Sequence, residues 1–282
     1  MNARSELGEF LRNRRAQLSP ADVGLVSHGR RRVPGLRREE LAQLAGVSVD
    51  YYVRVEQGRV QGVSGSVLDA LAAALRLTDV ERTHLRNLAR PARHPKPEPG
   101  PELIRPGVQQ LIDSLGQPAY VIGRFGDTLA WNRLACLTFV DFDQLAPKQR
   151  HWGRLIFLDG MPRERFADWE SKARDTVGFL RLNAGRYPDD PELTSLIGEL
   201  SVKSEDFRRL WADHTVREKT FGRKVVRHPL VGELTLDYES LLVAGSDQLI
   251  ITYTAEPGSS TQEALQFLAS WQDAEIARQS QP

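Results

Sequence analysis

Tyr51 and Arg54 lie three residues apart in LAQLAGVSVDYYVRVEQGR, residues 41–59. If a helix starts near Val49, that spacing puts a phenol and a guanidinium on one face. A phenol at a helix start can bond a phosphate and pack on a thymine methyl, and arginine can bond guanine through paired donors or grip a phosphate. Asp50 suits two roles. In a first turn its carboxylate complements the helix dipole, and against a base edge it would accept from a cytosine amino group. Arg37 and Arg38 would open the preceding helix, where exposed N–H groups already favour phosphate. The run Arg30–Arg31–Arg32 is either a further phosphate grip or a solvated loop. With Ser48 and Val49 at the helix start and Arg59 beyond its end, the candidate DNA-contacting set is Arg37, Arg38, Ser48, Val49, Asp50, Tyr51, Arg54 and Arg59.

A second chemistry is suggested further along. A sensor pocket needs apolar walls and a few polar anchors. Phe207, Leu210, Trp211 and His214 recur at i, i+3, i+4 and i+7, so His214 sits in an apolar stripe, either as an anchor or as a core histidine bonded to a backbone carbonyl. Asn132 follows Trp131 directly and could bond a ligand head group or cap the next helix. Arg150, His151 and Arg154 could hold a carboxylate, arginine best through its paired donors, or form a solvated face. Tyr238 shares an apolar face with Leu234 and Leu236 and lines core or pocket. The candidate ligand-binding set is Asn132, Arg150, Arg154, Trp211, His214 and Tyr238.

Signs of catalysis are sparse. There is no phosphate-cradling glycine loop, no H-E-x-x-H and no G-x-S-x-G. The histidines at 28, 84, 94, 151, 214 and 228 show no metal-ligand spacing, and Asp141/Asp143 and Asp189/Asp190 fall in polar, turn-like stretches. One cysteine, Cys136, excludes an internal disulfide framework and any multi-cysteine metal site, and reads as a packed small hydrophobe. The chain is therefore expected not to be an enzyme, to bind no metal, and to need no cofactor beyond a possible effector.

Positioning these candidates requires the following elements. Leu7, Phe10, Leu11 and Arg14 stripe a helix over about 5–18, and 19–35, rich in Gly and Pro, is a loop. Leu41, Leu44 and Ala45 are the buried stripe of the next helix, Gly46 turns the chain, and Val47 packs beneath. Ser48 caps the following helix, Tyr52 and Val55 face the core, and Gly58 stops it. Serine-capped 64–77 and 79–90, with Asp79 as an acidic cap, complete five helices. Six prolines between 91 and 106 favour polyproline II and mark a semi-rigid linker. Beyond it, 118–132 reads as two short strands about Phe125–Gly126–Asp127, followed by helices including 165–185 and 203–215. Alternation at 233–239 and 249–254 gives two strands joined across 244–248, and a helix over 259–278 closes the chain. The expected domains are 1–90, a linker at 91–107, and an α+β domain at 108–278 whose sheet carries its helices on one side.

Charge agrees with a binding head on a separate body. The chain has 282 residues and formal net charge +1, but residues 1–90 hold 15 Arg and no Lys against 10 acids, while the remainder nets −4. The first residues form a charged amphipathic helix rather than a secretory signal, and no run of apolar residues is long enough to cross a membrane. A cytoplasmic location is expected.

At GRRRVPGLRREELAQLAGVSVDYYVRVEQGR the chain resembles the XRE (Cro/C1-type) helix-turn-helix regulators, and specifically the MmyB-like subgroup. The likeness continues through LAWN (129–132), FRRLWADHTVR (207–217) and HPLVGELTLDYESL (228–241), in the expected order. It implies a mainly α, five-helix N-terminal domain, a PAS-like α+β C-terminal domain binding a small fatty-acid-like ligand, a homodimer on a double-stranded DNA operator, and transcriptional control, commonly of nearby oxidoreductase genes. The position of Arg38 often carries glutamine in that family. Arginine there keeps a phosphate contact and leaves base contact open.

Overall fold

In a computed structural model the described residues are 3–25, 35–60, 62–89, 102–218 and 220–279. Arg30–Arg32 and most of the proline-rich stretch lie outside them. Helices α1 (Ala3–Gln17), α2 (Arg38–Leu44), α3 (Val49–Glu56), α4 (Gly65–Ala74) and α5 (Asp79–Ala89) come first. Then follow α6 (Pro106–Asp113), β1 (Ala119–Ile122), β2 (Thr128–Trp131), α7 (Arg133–Thr138), α8 (Trp152–Leu158) and α9 (Met161–Arg165). The chain continues through α10 (Trp169–Arg186), α11 (Pro191–Lys203), α12 (Glu205–Ala212), β3 (Phe221–His228), β4 (Gly232–Leu242), β5 (Leu249–Thr254) and α13 (Ser260–Gln279). Among the described residues, no helix is long and apolar enough to cross a membrane.

Two compact units result. The helical unit takes 1–98 together with 177–199 and 208–218, and the sheet unit takes the remainder. Two stretches from the sequence's expected second domain thus belong to the same compact unit as the first five helices.

The helical unit closes on Leu7, Phe10 and Leu11 of α1, Leu41 of α2, Tyr52 and Val55 of α3, and leucines of α4 and α5. Each such side chain contributes about 1.5–3 kcal/mol on burial. Val216, from the 208–218 stretch, joins the same core. Leu44 was expected on the buried stripe of α2, but it is 36% exposed, and Ala42 is buried in its stead. The helix has only seven residues, and its buried face is Leu41, Ala42 and Ala45. The acidic cap expected at Asp79 is also corrected. Thr78 precedes α5, with Thr78 N and Oγ1 donating to Glu81 Oε2 at 2.8 and 3.0 Å, a capping box one residue earlier. Gly8 lets α1 approach α3 closely, for a Cβ there would lie 2.1 Å from the carbonyl oxygen of Glu56.

The sheet unit is antiparallel with order β2-β1-β5-β4-β3, an α+β, PAS-like domain. β1, β2, β4 and β5 fall where the sequence places strands. β3 was not expected. It is an edge strand whose outward residues include Arg223 and Arg227, charges that protect an edge. Helices also cover both faces rather than one. Val108 and Ile112 of α6 pack on Ala119, Val121, Ala130 and Ile250, while Tyr120 and Tyr253 point the other way into an aromatic cluster with Phe139, Phe142 and Trp152.

Candidate functional site

The turn between α2 and α3 is set by two backbone bonds. Gly46 N donates to Gln43 O at 3.1 Å and Val47 N to Ala42 O at 3.0 Å, a Schellman termination. It needs the left-handed backbone that Gly46 adopts at φ +65°. Extended Ser48 then starts α3, its hydroxyl accepting from Tyr51 N at 3.2 Å. The same termination recurs at the far end, with Gly58 N on Val55 O and Arg59 N on Arg54 O. α3 is thus a rigid rod of eight residues, held at both ends.

Burying Tyr52, Val55 and Glu56 turns Val49, Asp50 and Arg54 outward. Ser48 is exposed, but its hydroxyl is committed to the cap. Tyr51 is half-buried and packs against the helical core, so its ring has a structural place as well as an accessible edge. Arg54 and Arg59 are exposed and take no ion pair among the described residues. Arg37 is the N-cap residue of α2, its backbone N donating to Glu40 Oε2 at 2.6 Å, and its side chain lies 3.7 Å from Glu39.

Arg38 has a partner the sequence did not reveal. Its Nε and Nη2 donate to Glu56 Oε1 at 3.0 and 2.8 Å. Arg15 Nε donates to Glu56 Oε2 at 3.3 Å, and Arg12 lies at 3.7 Å. The carboxylate is fully buried. Burial works to raise its pKa, but hydrogen bonding from Arg38 and the nearby Arg15 charge outweigh it and hold the carboxyl below its usual range. Arg38 remains 44% exposed, so a guanidinium fixed by Glu56 is presented at the start of α2. The signal available was Glu56 itself, an acid one residue past Val55 and four past Tyr52, on the buried face.

The six candidate ligand-binding residues divide between the two compact units. Asn132, Arg150, Arg154 and Tyr238 belong to the sheet unit, Trp211 and His214 to the helical unit. Asn132 is buried and caps α7. Its Oδ1 accepts from Ala119 N and Ala135 N, both at 3.0 Å, and its Nδ2 donates to Gln117 O at 2.7 Å and Ile112 O at 3.1 Å. The amide is thereby committed to backbone, the capping alternative. Arg150 donates to Leu145 O at 2.9 Å and stacks 4.9 Å from the Trp131 ring. Arg154 donates to Lys148 O at 3.1 Å and faces Asp127, whose carboxyl burial holds above its usual range. Tyr238 is buried beside Tyr253, with ring centroids 5.9 Å apart. Around it the sheet unit fills its interior with its own aromatics, Tyr120 and Tyr253 sharing a hydroxyl hydrogen bond of 2.9 Å.

His214 is not on a helix face. α12 stops at Ala212, and His214 adopts a left-handed φ of +49°. Its Nδ1 lies 3.0 Å from Arg181 Nη1. Since guanidinium only donates, Nδ1 accepts, and the neutral ring carries its proton on Nε2, 3.4 Å from Glu9 Oε2. Burial and the Arg181 charge press His214 down to about 4, so this contact is a hydrogen bond to neutral imidazole rather than an ion pair. Glu6, Glu9 and His214 come together at metal-ligating distances, but the ring nitrogen facing the acids bears a proton, not a lone pair.

A cleft opens within the helical unit, between α1, α5, α10 and α11. It is lined by the polar side chains of Glu6, His84 and Arg181 and by the apolar Leu88, Leu193 and Ile197 among others. Sequence reasoning missed Arg181 because its partners are distant in the chain.

Two family models match the chain. A helix-turn-helix domain model covers residues 6–85, and that of the MmyB-like transcription regulator ligand binding domain covers 104–268. A search of curated proteins finds no significant match. The second match contains both stretches that the structure folds into the helical unit. With the helix-turn-helix ahead of it, a ligand-binding domain match over more than half of the chain shows that this protein belongs to the MmyB-like transcription regulators.

Proposed function

We propose that this chain is an operator-specific XRE-type regulator, acting in the cytoplasm as a homodimer, whose DNA affinity answers to a small fatty-acid-like effector. The observation that supports it best is α3, capped at both ends and turning Val49, Asp50 and Arg54 outward. Arg37, Arg38 and Arg59 would hold phosphates, and Tyr51 and Arg54 would read base edges. Paired recognition helices would fall about 34 Å apart on a near-palindromic site. An effector must favour one conformation to change affinity.

A second reading makes the sheet unit a dimerisation or docking module. Its interior, filled by Tyr120, Phe139, Phe142, Trp152 and Tyr253, favours that reading. Two experiments divide these cases. Operator selection on the full chain followed by Arg54→Ala should cost ~1–3 kcal/mol of discrimination at one base, with affinity falling steeply as salt rises. A flat salt dependence sinks DNA binding. Mass spectrometry of small molecules released on denaturation should find a stoichiometric lipid-like compound. An effector-free protein that binds its operator identically with and without added lipids would favour the docking module.

A further inference from the structure

Three guanidiniums converge on one buried carboxylate beside the helix-turn-helix. Glu56 carries a single negative charge, and Arg15 meets it from the protein side. That arginine is 13% exposed and donates to Glu56 Oε2 and to the carbonyl of Leu36. The other oxygen, Oε1, is approached by Arg38 of α2 and Arg12 of α1. Arg38 spends its Nε and Nη2 donors there, two of the five N–H groups that a guanidinium carries. Arg12 comes only to 3.7 Å, through Nε, so its donors are not spent on the carboxylate.

Stability does not account for Arg12. An ion pair of that length on a side chain 56% exposed contributes little to the fold. One carboxylate neutralises one guanidinium, so two positive charges are left over, and the two arginines at the surface carry them. Arg12 and Arg38 approach the same oxygen, which makes their guanidiniums close neighbours that repel until a further anion joins them. Arg38 is the first residue of α2, the helix that in a helix-turn-helix crosses the DNA backbone while the next helix enters the groove.

We propose that Arg12 and Arg38, both seated on Glu56, clamp one phosphate of the DNA backbone between them. This rests on the chain's reading as a DNA-binding regulator, and it adds α1 to the elements that touch DNA. A backbone phosphate has two unesterified oxygens, one for each guanidinium, and charge-assisted bonds of this kind are the strong ones. Side chains already held by a carboxylate lose less freedom when the phosphate arrives. The contact carries no sequence information of its own but fixes register. Glu56 is the last residue of α3, so the clamp is built on the same rod that turns Val49, Asp50 and Arg54 outward. The position of one phosphate is thereby tied to the bases that α3 meets.

A double-substitution cycle in the full chain tests the clamp, by fluorescence anisotropy on mixed-sequence double-stranded DNA, a probe that needs no operator. Arg12→Ala should weaken binding roughly threefold to tenfold, by the same factor on unrelated sequences, with the thermal midpoint unchanged. Arg12→Lys should recover most of that loss, because the charge stays. Arg38→Ala should weaken binding as well. The double variant should lose less than the product of the two single losses, since both side chains share one partner. Its slope of log affinity against log salt should flatten by about 0.9, the value for one phosphate. Arg223→Ala, a 60% exposed arginine of the sheet unit, should change neither quantity. Wild-type affinity in Arg12→Ala, a double variant whose slope flattens by about twice that amount, or an equal loss in Arg223→Ala overturns the clamp and leaves DNA binding intact. A flat salt dependence of the wild type overturns both.

Discussion

Glu56→Gln removes one charge, at nearly constant volume, from the point where three arginines converge on α3. The cost follows from how each arginine is exposed. Arg15 is 13% exposed, so its charged hydrogen bond retains about 1.5–3 kcal/mol. Arg38 is 44% exposed and regains water when released, which limits its contribution to about 0.2–1 kcal/mol. Arg12, 56% exposed at 3.7 Å, adds little. The glutamine oxygen still accepts one bond, so the expected loss is about 1.5–3 kcal/mol, below the cost of breaking a pair sealed on both sides. Hydrogen exchange of the α1 and α3 amides in the full chain reads this locally, as a fall in protection of roughly ten- to 150-fold. The variant should also lose an acid-side dependence. Glu56 is held below its ordinary value, so its contribution is present above about pH 4.5 and is lost as pH falls through the folded value. Protection within about twofold of wild type would refute the reasoning, because it would mean that a buried carboxylate bound to arginine adds no more than a buried amide.

The same packing makes further changes testable. Gly8→Ala places a Cβ 2.1 Å from backbone at Glu56; α1 must shift, and the midpoint of thermal unfolding should fall by an amount equivalent to about 1–3 kcal/mol. Arg76 closes α4 with a left-handed φ of +51°, its N donating to Ala73 O at 3.0 Å. Arg76→Gly should stabilise by about 0.5–1 kcal/mol in denaturant unfolding, and a loss would show that the arginine side chain matters there. His84 and His214 are pushed down to about 3 and about 4, chiefly by burial and then by Arg181. Their depressed values leave stability intact above about pH 6.5 and erode it as pH falls toward 4, while Glu6, with its raised value, gives a contribution of opposite sign. A thermal midpoint that rises between pH 6.5 and 5 would contradict the buried neutral imidazoles.

What was legible in the sequence was whatever depends on neighbours within a few residues. The Gly46 and Gly58 terminations, the Ser48 cap and the inward Tyr52 and Val55 are local events, and each falls where spacing puts it. The helix-turn-helix was legible for that reason, and so were β1, β2, β4 and β5. Leu44 failed because a seven-residue helix has too few turns for periodicity to choose its face. β3 failed because an edge strand is free to carry arginine where an inner strand is not. Ile250 reads as the polar-face residue of an alternating strand, yet α6, arriving from about 140 residues upstream, covers it.

The effector candidates divide between the two compact units for a different reason. A sequence assigns residues to domains by contiguity, and contiguity put Trp211 and His214 with Asn132, Arg150, Arg154 and Tyr238. The partners that decide their role are Arg181 and, through it, Glu6 of α1, 175 positions earlier in the chain. Within VGFLRLNAGR an arginine between two leucines reads as one polar position on an amphipathic helix. Only a buried charge with an acid from the first helix explains why it is arginine. That pairing also changes what the second family match means. Stretches of the ligand-binding domain supply Val216 to the DNA head's core and Arg181 to its first helix. A change of packing in those stretches is then already a change in the helical unit that holds α3.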